Sequence, residues 1–165
     1  MLHLRAASND FFMINNDVIR SLRFTLQISE FKLVEIIKLG DGEVSQVKVN
    51  AYLKKDDEPG FEECPQNIMS SLLNGLIYFL RGKDESRPPL LPELPNNNVV
   101  LKKLRVAFAL KDDDIIAMLE RDDFKVSKTE LSSFFRKQGH PNYRPVGDQF
   151  LRRFLKGLTL KFKTT

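Results

Sequence analysis

Ten side chains in the second half of the chain have the types and spacing needed to hold an anion: Lys102, Lys103 and Arg105; Lys128, Ser132, Arg136 and Lys137; and Arg152, Arg153 and Lys156. Lysine and arginine neutralise phosphate oxygens, while arginine and serine also donate hydrogen bonds to phosphates or base edges. The charge behind these residues is lopsided. Residues 97–163 hold 15 Lys and Arg against 8 Asp and Glu, a net of +7, whereas residues 15–81 hold 8 against 10, a net of −2. Such an imbalance points the second half towards an anionic partner. A solvated helix face also looks like this, so the bases by themselves do not separate polyanion binding from plain solvation.

Other chemistry finds less support. Asp112, Asp113 and Asp114 open a helix, where carboxylates complement the dipole and need no metal. Asp56-Asp57-Glu58 lacks the spaced ligands and glycine of a calcium loop. Cys64, the only cysteine, excludes an intrachain disulfide, and with only His3 and His140 beside it no metal-ligand set is assembled. Cys64 stands before Pro65 at a helix start with no histidine near it in sequence, so a buried thiol is the simpler reading. His140, in Gly139-His-Pro141, has no obvious acid or nucleophile partner. There is no glycine-rich phosphate loop or paired catalytic motif. A binding module with no cofactor is expected, not an enzyme.

The elements that must position the bases come from a chain that repeats itself. Leu22-Arg23 recurs as Leu104-Arg105, Val44-Ser45 as Val126-Ser127, Pro59 as Pro141 and Gly75-Leu76 as Gly157-Leu158, always 82 residues on. A constant offset with no gap is the mark of an internal duplication. Val18, Leu22 and Leu26 follow Asn16 at helical spacing, as Val100, Leu104 and Phe108 follow Asn98; both asparagines suit an N-cap. Leu33, Ile36 and Ile37, then Ile115, Met118 and Leu119, mark a second helix, ended by Gly40-Asp41-Gly42 and by Asp122-Asp123.

A third helix starts at Ser127, where Ser127-Lys-Thr-Glu130 reads as a capping box and Val126 can staple to Leu131. The first copy keeps Ser45, Val44 and Val49 but places Lys48 where the glutamate would be. Paired with the second helix, this third helix reads as helix-turn-helix-like. Lys128, Ser132 and Arg136 form an exposed stripe beside Thr129, Ser133 and Lys137, matched by Gln46, Asn50 and Lys54. Pro59-Gly60-Phe61 and Pro141-Asn142-Tyr143 then lead to a long fourth helix. Gly75 and Gly157 lie inside it, where glycine costs about 1 kcal/mol relative to alanine, so close approach of another helix is expected.

The fold expected is therefore all-α: two tandem duplicated helical repeats of about four helices each, 15–82 and 97–163, joined by the proline-rich linker 83–96. Leu90, Leu91 and Leu94 should lay the linker against the repeats. Each repeat is near the lower size limit for independent folding, so two units sharing an interface are expected. Residues 1–14 form an extension without counterpart, with Met13 as an alternative start.

The chain resembles the bacterial YehS-like family of uncharacterised cytoplasmic proteins, domain of unknown function 1456, over about residues 13–163. The likeness is carried by Leu73-Asn-Gly-Leu-Ile77, Arg81-Gly-Lys-Asp-Glu85, Asn96-Asn-Asn-Val-Val-Leu-Lys-Lys-Leu-Arg105, Gly147-Asp-Gln-Phe-Leu-Arg152 and Phe154-Leu-Lys-Gly-Leu158. It implies the same duplicated fold in a cytoplasmic protein and brings no activity, cofactor or catalytic residue. No run approaches the roughly twenty apolar residues of a membrane span. The partner expected is nucleic acid or another polyanion at the second repeat; a protein bound in the inter-repeat groove is the alternative.

Overall fold

The computed structural model describes residues 13–164, and the expectations for residues 1–12 lie outside them. All regular structure in the described residues is helical: α1 (Asn15–Leu26), α2 (Glu30–Leu39), α3 (Gln46–Leu53), α4 (Gln66–Arg81), α5 (Asn97–Ala107), α6 (Asp112–Glu120), α7 (Lys128–Phe134) and α8 (Asp148–Phe162). α2 packs on α4 and α6 on α8, while α4 also packs on α5 and α8 on α1. Each half thus lends its last helix to the first helix of the other. Buried apolar side chains from all eight helices form one cluster, with Leu22, Leu72, Leu104 and Phe154 among its fully covered members. About seventy residues is near the lower size limit for a core of its own, which favours a core shared between the halves.

The α2–α4 crossing is a backbone contact. A Cβ built at Gly75 would overlap the Ile36 carbonyl, and one at Gly40 would overlap that of Ser71. At Gly157 a Cβ would stand 3.2 Å from Met118 Cε, a flexible neighbour. The close approach expected at both glycines is therefore severe only at the first.

The asparagines read as caps do other work. The N-caps of α1 and α5 are Ile14 and Asn96. Asn16 lies within α1, fully buried, where its amide donates to Tyr52 O (3.0 Å) and Glu62 O (2.8 Å) and its oxygen accepts from Cys64 N (3.0 Å). Asn98 clamps Phe134 O (3.1 Å), Arg144 O (2.8 Å) and Val146 N (2.9 Å), each partner 82 residues on. A side chain with donors and an acceptor can tie three separated backbone groups that would otherwise be unpaired. Left-handed residues follow the same offset: Gln27 and Ala109, and Asp41 and Asp123.

Ser45 and Ser127 cap α3 and α7 as expected, accepting from Lys48 N (3.2 Å) and Glu130 N (3.0 Å). The reciprocal half of the Ser127–Glu130 box is not made among the described residues. Return bonds occur instead where Asp17 accepts from Ile14 N (3.0 Å) and Asp114 from Lys111 N (2.8 Å). In the segment 83–96 only Leu90 of the three leucines packs on the core; Leu91 and Leu94 are exposed. Polar bonds hold this segment to α4, because its prolines leave an extended backbone whose remaining donors and acceptors need partners.

Candidate anion-binding site

α7 is seven residues long, so the stripe expected along it is cut short. Arg136 and Lys137 lie beyond its end, and Ser133 is buried with its hydroxyl donating to Glu130 O. The chain then turns through His140 and Tyr143 and returns to α7, with Arg144 N donating to Ser133 O (3.1 Å). His140 is part of the turn, its Nδ1 accepting from Asn142 N (3.0 Å). Between α7 and this returning strand of loop lies an open cleft of about 600 Å³ lined by Thr129, Glu130, Ser132, Arg136, Asn142 and Arg144 among others. Two guanidiniums, an amide and the hydroxyls of Thr129 and Ser132 therefore line one concave surface, with the Glu130 carboxylate among them. Such donors suit a phosphate, which accepts several hydrogen bonds at once and is matched by the guanidinium fork.

The nine bases and one hydroxyl expected to act together are divided by their partners. Lys102 Nζ sits 2.8 Å and Lys103 Nζ 3.5 Å from the Glu93 carboxylate. Lys103 is only 7% exposed, and loss of water holds its ammonium below the usual lysine pKa. The Lys102 hydrogen bond holds Glu93 below the ordinary carboxylate range. Arg105 lies 2.9 Å from Asp112 and stacks on the Phe135 ring at 4.4 Å, while Lys128 pairs with Asp113 at 3.2 Å. Asp112 Oδ1 is buried and lies off the hydrogen-bonding direction of that guanidinium. Arg153 and Lys156 share Asp122, at 3.2 Å and 2.8 Å, and the Lys156 hydrogen bond lowers the pKa of that carboxyl. Ser132 and Arg136 line the cleft, Lys137 is exposed beside it, and Arg152 stands apart on α8.

Sequence reasoning passed over Arg144. Its signal was available: Arg144 stands 82 residues after Glu62, and Glu130 the same distance after Lys48, so two opposite charges have changed places. In the first half Lys48 and Glu62 pair at 2.7 Å, and Lys54, the counterpart of Arg136, donates to Pro59 O (2.9 Å). Cys64 is buried, and burial pushes its thiol up to about 12, away from any nucleophilic role. Among the described residues no three His, Cys, Asp or Glu side chains come together as a metal site, and no helix is long and apolar enough to cross a membrane.

The profile of the family described as "Protein of unknown function (DUF1456)" matches residues 15–82 and again residues 97–163. The chain is similar to the uncharacterised protein YehS of Escherichia coli K12, with 50% identity over 150 residues that cover 90% of this chain and 96% of the relative. No solved structure matches.

Proposed function

The chain belongs to the DUF1456 family of proteins of unknown function, and from that premise we propose that it is a non-enzymatic binding module holding nucleic acid or a similar polyanion in the α7 cleft. We read the module as two copies of a four-helix repeat, 15–82 and 97–163, linked by the proline-rich segment 83–96. Support comes from the double match of one family profile and from the clamps and caps that recur 82 residues apart.

The observation that carries the functional reading is the inversion at the cleft. In the first half a lysine and a glutamate neutralise each other and a second lysine is bound to the backbone. In the second half Arg136 and Arg144 face the same concavity with no ion pair among the described residues, and Lys137 adds charge beside them. A phosphate backbone laid in this cleft gains charge-assisted hydrogen bonds and releases counterions.

Fluorescence anisotropy against labelled single-stranded DNA, single-stranded RNA and duplex DNA, titrated with salt, tests the reading. Each phosphate neutralised contributes about −0.9 to the log–log salt slope on duplex and about −0.7 on single strands. Arg136→Glu with Arg144→Glu should flatten the slope by about 1.5 and weaken binding at least tenfold, whereas Lys48→Glu with Lys54→Glu should change little. No binding to any of the three at low salt would reject it.

A further inference from the structure

The face of α4 bearing Ser70, Asn74 and Tyr78 is covered by the chain itself. Leu90 N donates to Tyr78 Oη (2.7 Å), Asn74 Nδ2 donates to Leu91 O (3.1 Å), and Glu93 N donates to Ser70 Oγ (3.1 Å). The Glu93 carboxylate then closes on Lys102 and Lys103 of α5. An extended peptide thus runs antiparallel to α4 along the α4–α5 groove, held by backbone hydrogen bonds and one carboxylate. Beneath it Ser70 and Asn74 are buried.

The matching face of α8, 82 residues on, bears Arg152, Lys156 and Leu160, and α1 lies against α8 as α5 lies against α4. Thr25 Oγ1 and Thr159 Oγ1 meet at 2.7 Å across that contact. Among the described residues no extended segment is hydrogen-bonded along this face: Arg152 is half-buried, Lys156 is exposed and bound to Asp122, and Leu160 is 50% exposed. The cations have also changed sides. The α1 counterparts of Lys102 and Lys103 are Arg20, which is bound to Asp17 and Lys54 O, and Ser21, so the positive charge now comes from Arg152 and Lys156 on α8.

We propose that the α1–α8 groove docks an extended acidic segment of a partner protein, seated as residues 90–93 are seated on α4. Carboxylates take the places opposite Arg152 and Lys156, and an apolar side chain lies on Leu160 where the hydroxyl of Tyr78 binds backbone in the other groove. Lys156, 59% exposed, swings from Asp122 to the incoming acid, and the partly covered Asp122 keeps Arg153 at 3.2 Å. The inference rests on the equivalence of the two halves and is independent of the α7 cleft.

The probe is a synthetic nonapeptide, Glu-Pro-Leu-Leu-Pro-Glu-Leu-Glu-Pro, titrated into the ¹⁵N-labelled full chain and followed by NMR. Shifts should concentrate on residues 152–160 and the facing side of α1. Arg152→Glu with Lys156→Glu should weaken binding at least tenfold while leaving the thermal midpoint within a few degrees, and replacing the peptide's glutamates by glutamine should do the same. Arg136→Glu with Arg144→Glu should leave peptide binding unchanged, so the fates of the two sites are read separately. Absent shifts, shifts centred on the α7 cleft, or displacement of the peptide by duplex DNA at these same residues would overturn the proposal. So would binding to a chain starting at Met13 but not to the full chain, which would assign the groove to residues 1–12.

Discussion

The loop after α3 and the loop after α7 are built on the same backbone bonds and carry opposite electrostatics. Glu62 N donates to Ala51 O as Arg144 N donates to Ser133 O, and the turns at Glu58 and Phe61 recur at His140 and Tyr143. On that shared frame the first loop spends its charges internally, Lys48 on Glu62 and Lys54 on Pro59. The second keeps the opposite residues at the same two places, leaves them unpaired among the described residues, and opens a cleft. Backbone hydrogen bonds therefore set the same frame in both halves, and the side-chain charges on that frame differ. Exposed ion pairs contribute only about 0–1 kcal/mol, so such exchanges alter the surface with little effect on stability.

The sharpest way to break the equivalence of the halves is at the helix crossings. Gly75→Ala places a methyl group into the Ile36 carbonyl, where backbone and not a flexible side chain must move. We expect a loss beyond about 3 kcal/mol in urea unfolding, or no folded protein. Gly157→Ala meets only Met118 at 3.2 Å and gains helix propensity worth about 1 kcal/mol, so it should fall within about 1 kcal/mol of the parent. Similar losses at both sites would show that the two crossings are alike after all.

The asparagine clamps give the next effect. Asn16→Ala strands one buried carbonyl, one partly buried carbonyl and one buried N–H, and should cost about 2–3 kcal/mol; Asn98, half-exposed and clamping the same three kinds of group, should cost about 1 kcal/mol less because water can reach its partners. The measurement is the urea midpoint of each variant. A larger loss at Asn98 would contradict the burial difference.

These residues also show what could be read from sequence. The helices were legible because their apolar periodicity has a local cause, and the repeated Asn-Asn pair was visible at once. Its role was not, since the clamp joins residues about 36 to 48 apart. Local rules favoured an N-cap for Asn16 and a reciprocal box for Glu130; burial and tertiary partners decided otherwise. The bases were legible as charge but not as a surface. Glu93, Asp112, Asp113 and Asp122 take up six of them through contacts between elements, while Arg144 emerges only when the halves are compared.

Cys64 and Val146 stand at matching places, and only the first titrates. The folded thiol is raised from 9.0 to about 12 by burial, so its contribution to stability is full below pH 9 and is lost as pH rises from 9 towards 12. At pH 10 the unfolded chain gains about 1.4 kcal/mol from ionising this thiol, a loss that Cys64→Val should abolish. Parallel stability–pH curves for the parent and the valine variant between pH 8 and 10.5 would place the thiol in contact with water.

The smallest contrast is at the serine caps. Ser45 and Ser127 each accept one backbone N–H, at 3.2 Å and 3.0 Å, and removing either acceptor leaves a helix-end donor to water at a cost of about 1 kcal/mol. A working capping box would add the Glu130 return bond to the second site only, so the sequence alone would rank Ser127→Ala above Ser45→Ala. In the structure Glu130 lines the cleft and makes no such bond, which leaves the two caps alike. Thermal midpoints of the two alanine variants should therefore agree within about 2 °C, and Glu130→Ala should change stability by less than about 0.5 kcal/mol. A clear excess for Ser127→Ala that disappears in a Glu130→Ala background would mean that the return bond forms in solution and that the two caps differ after all.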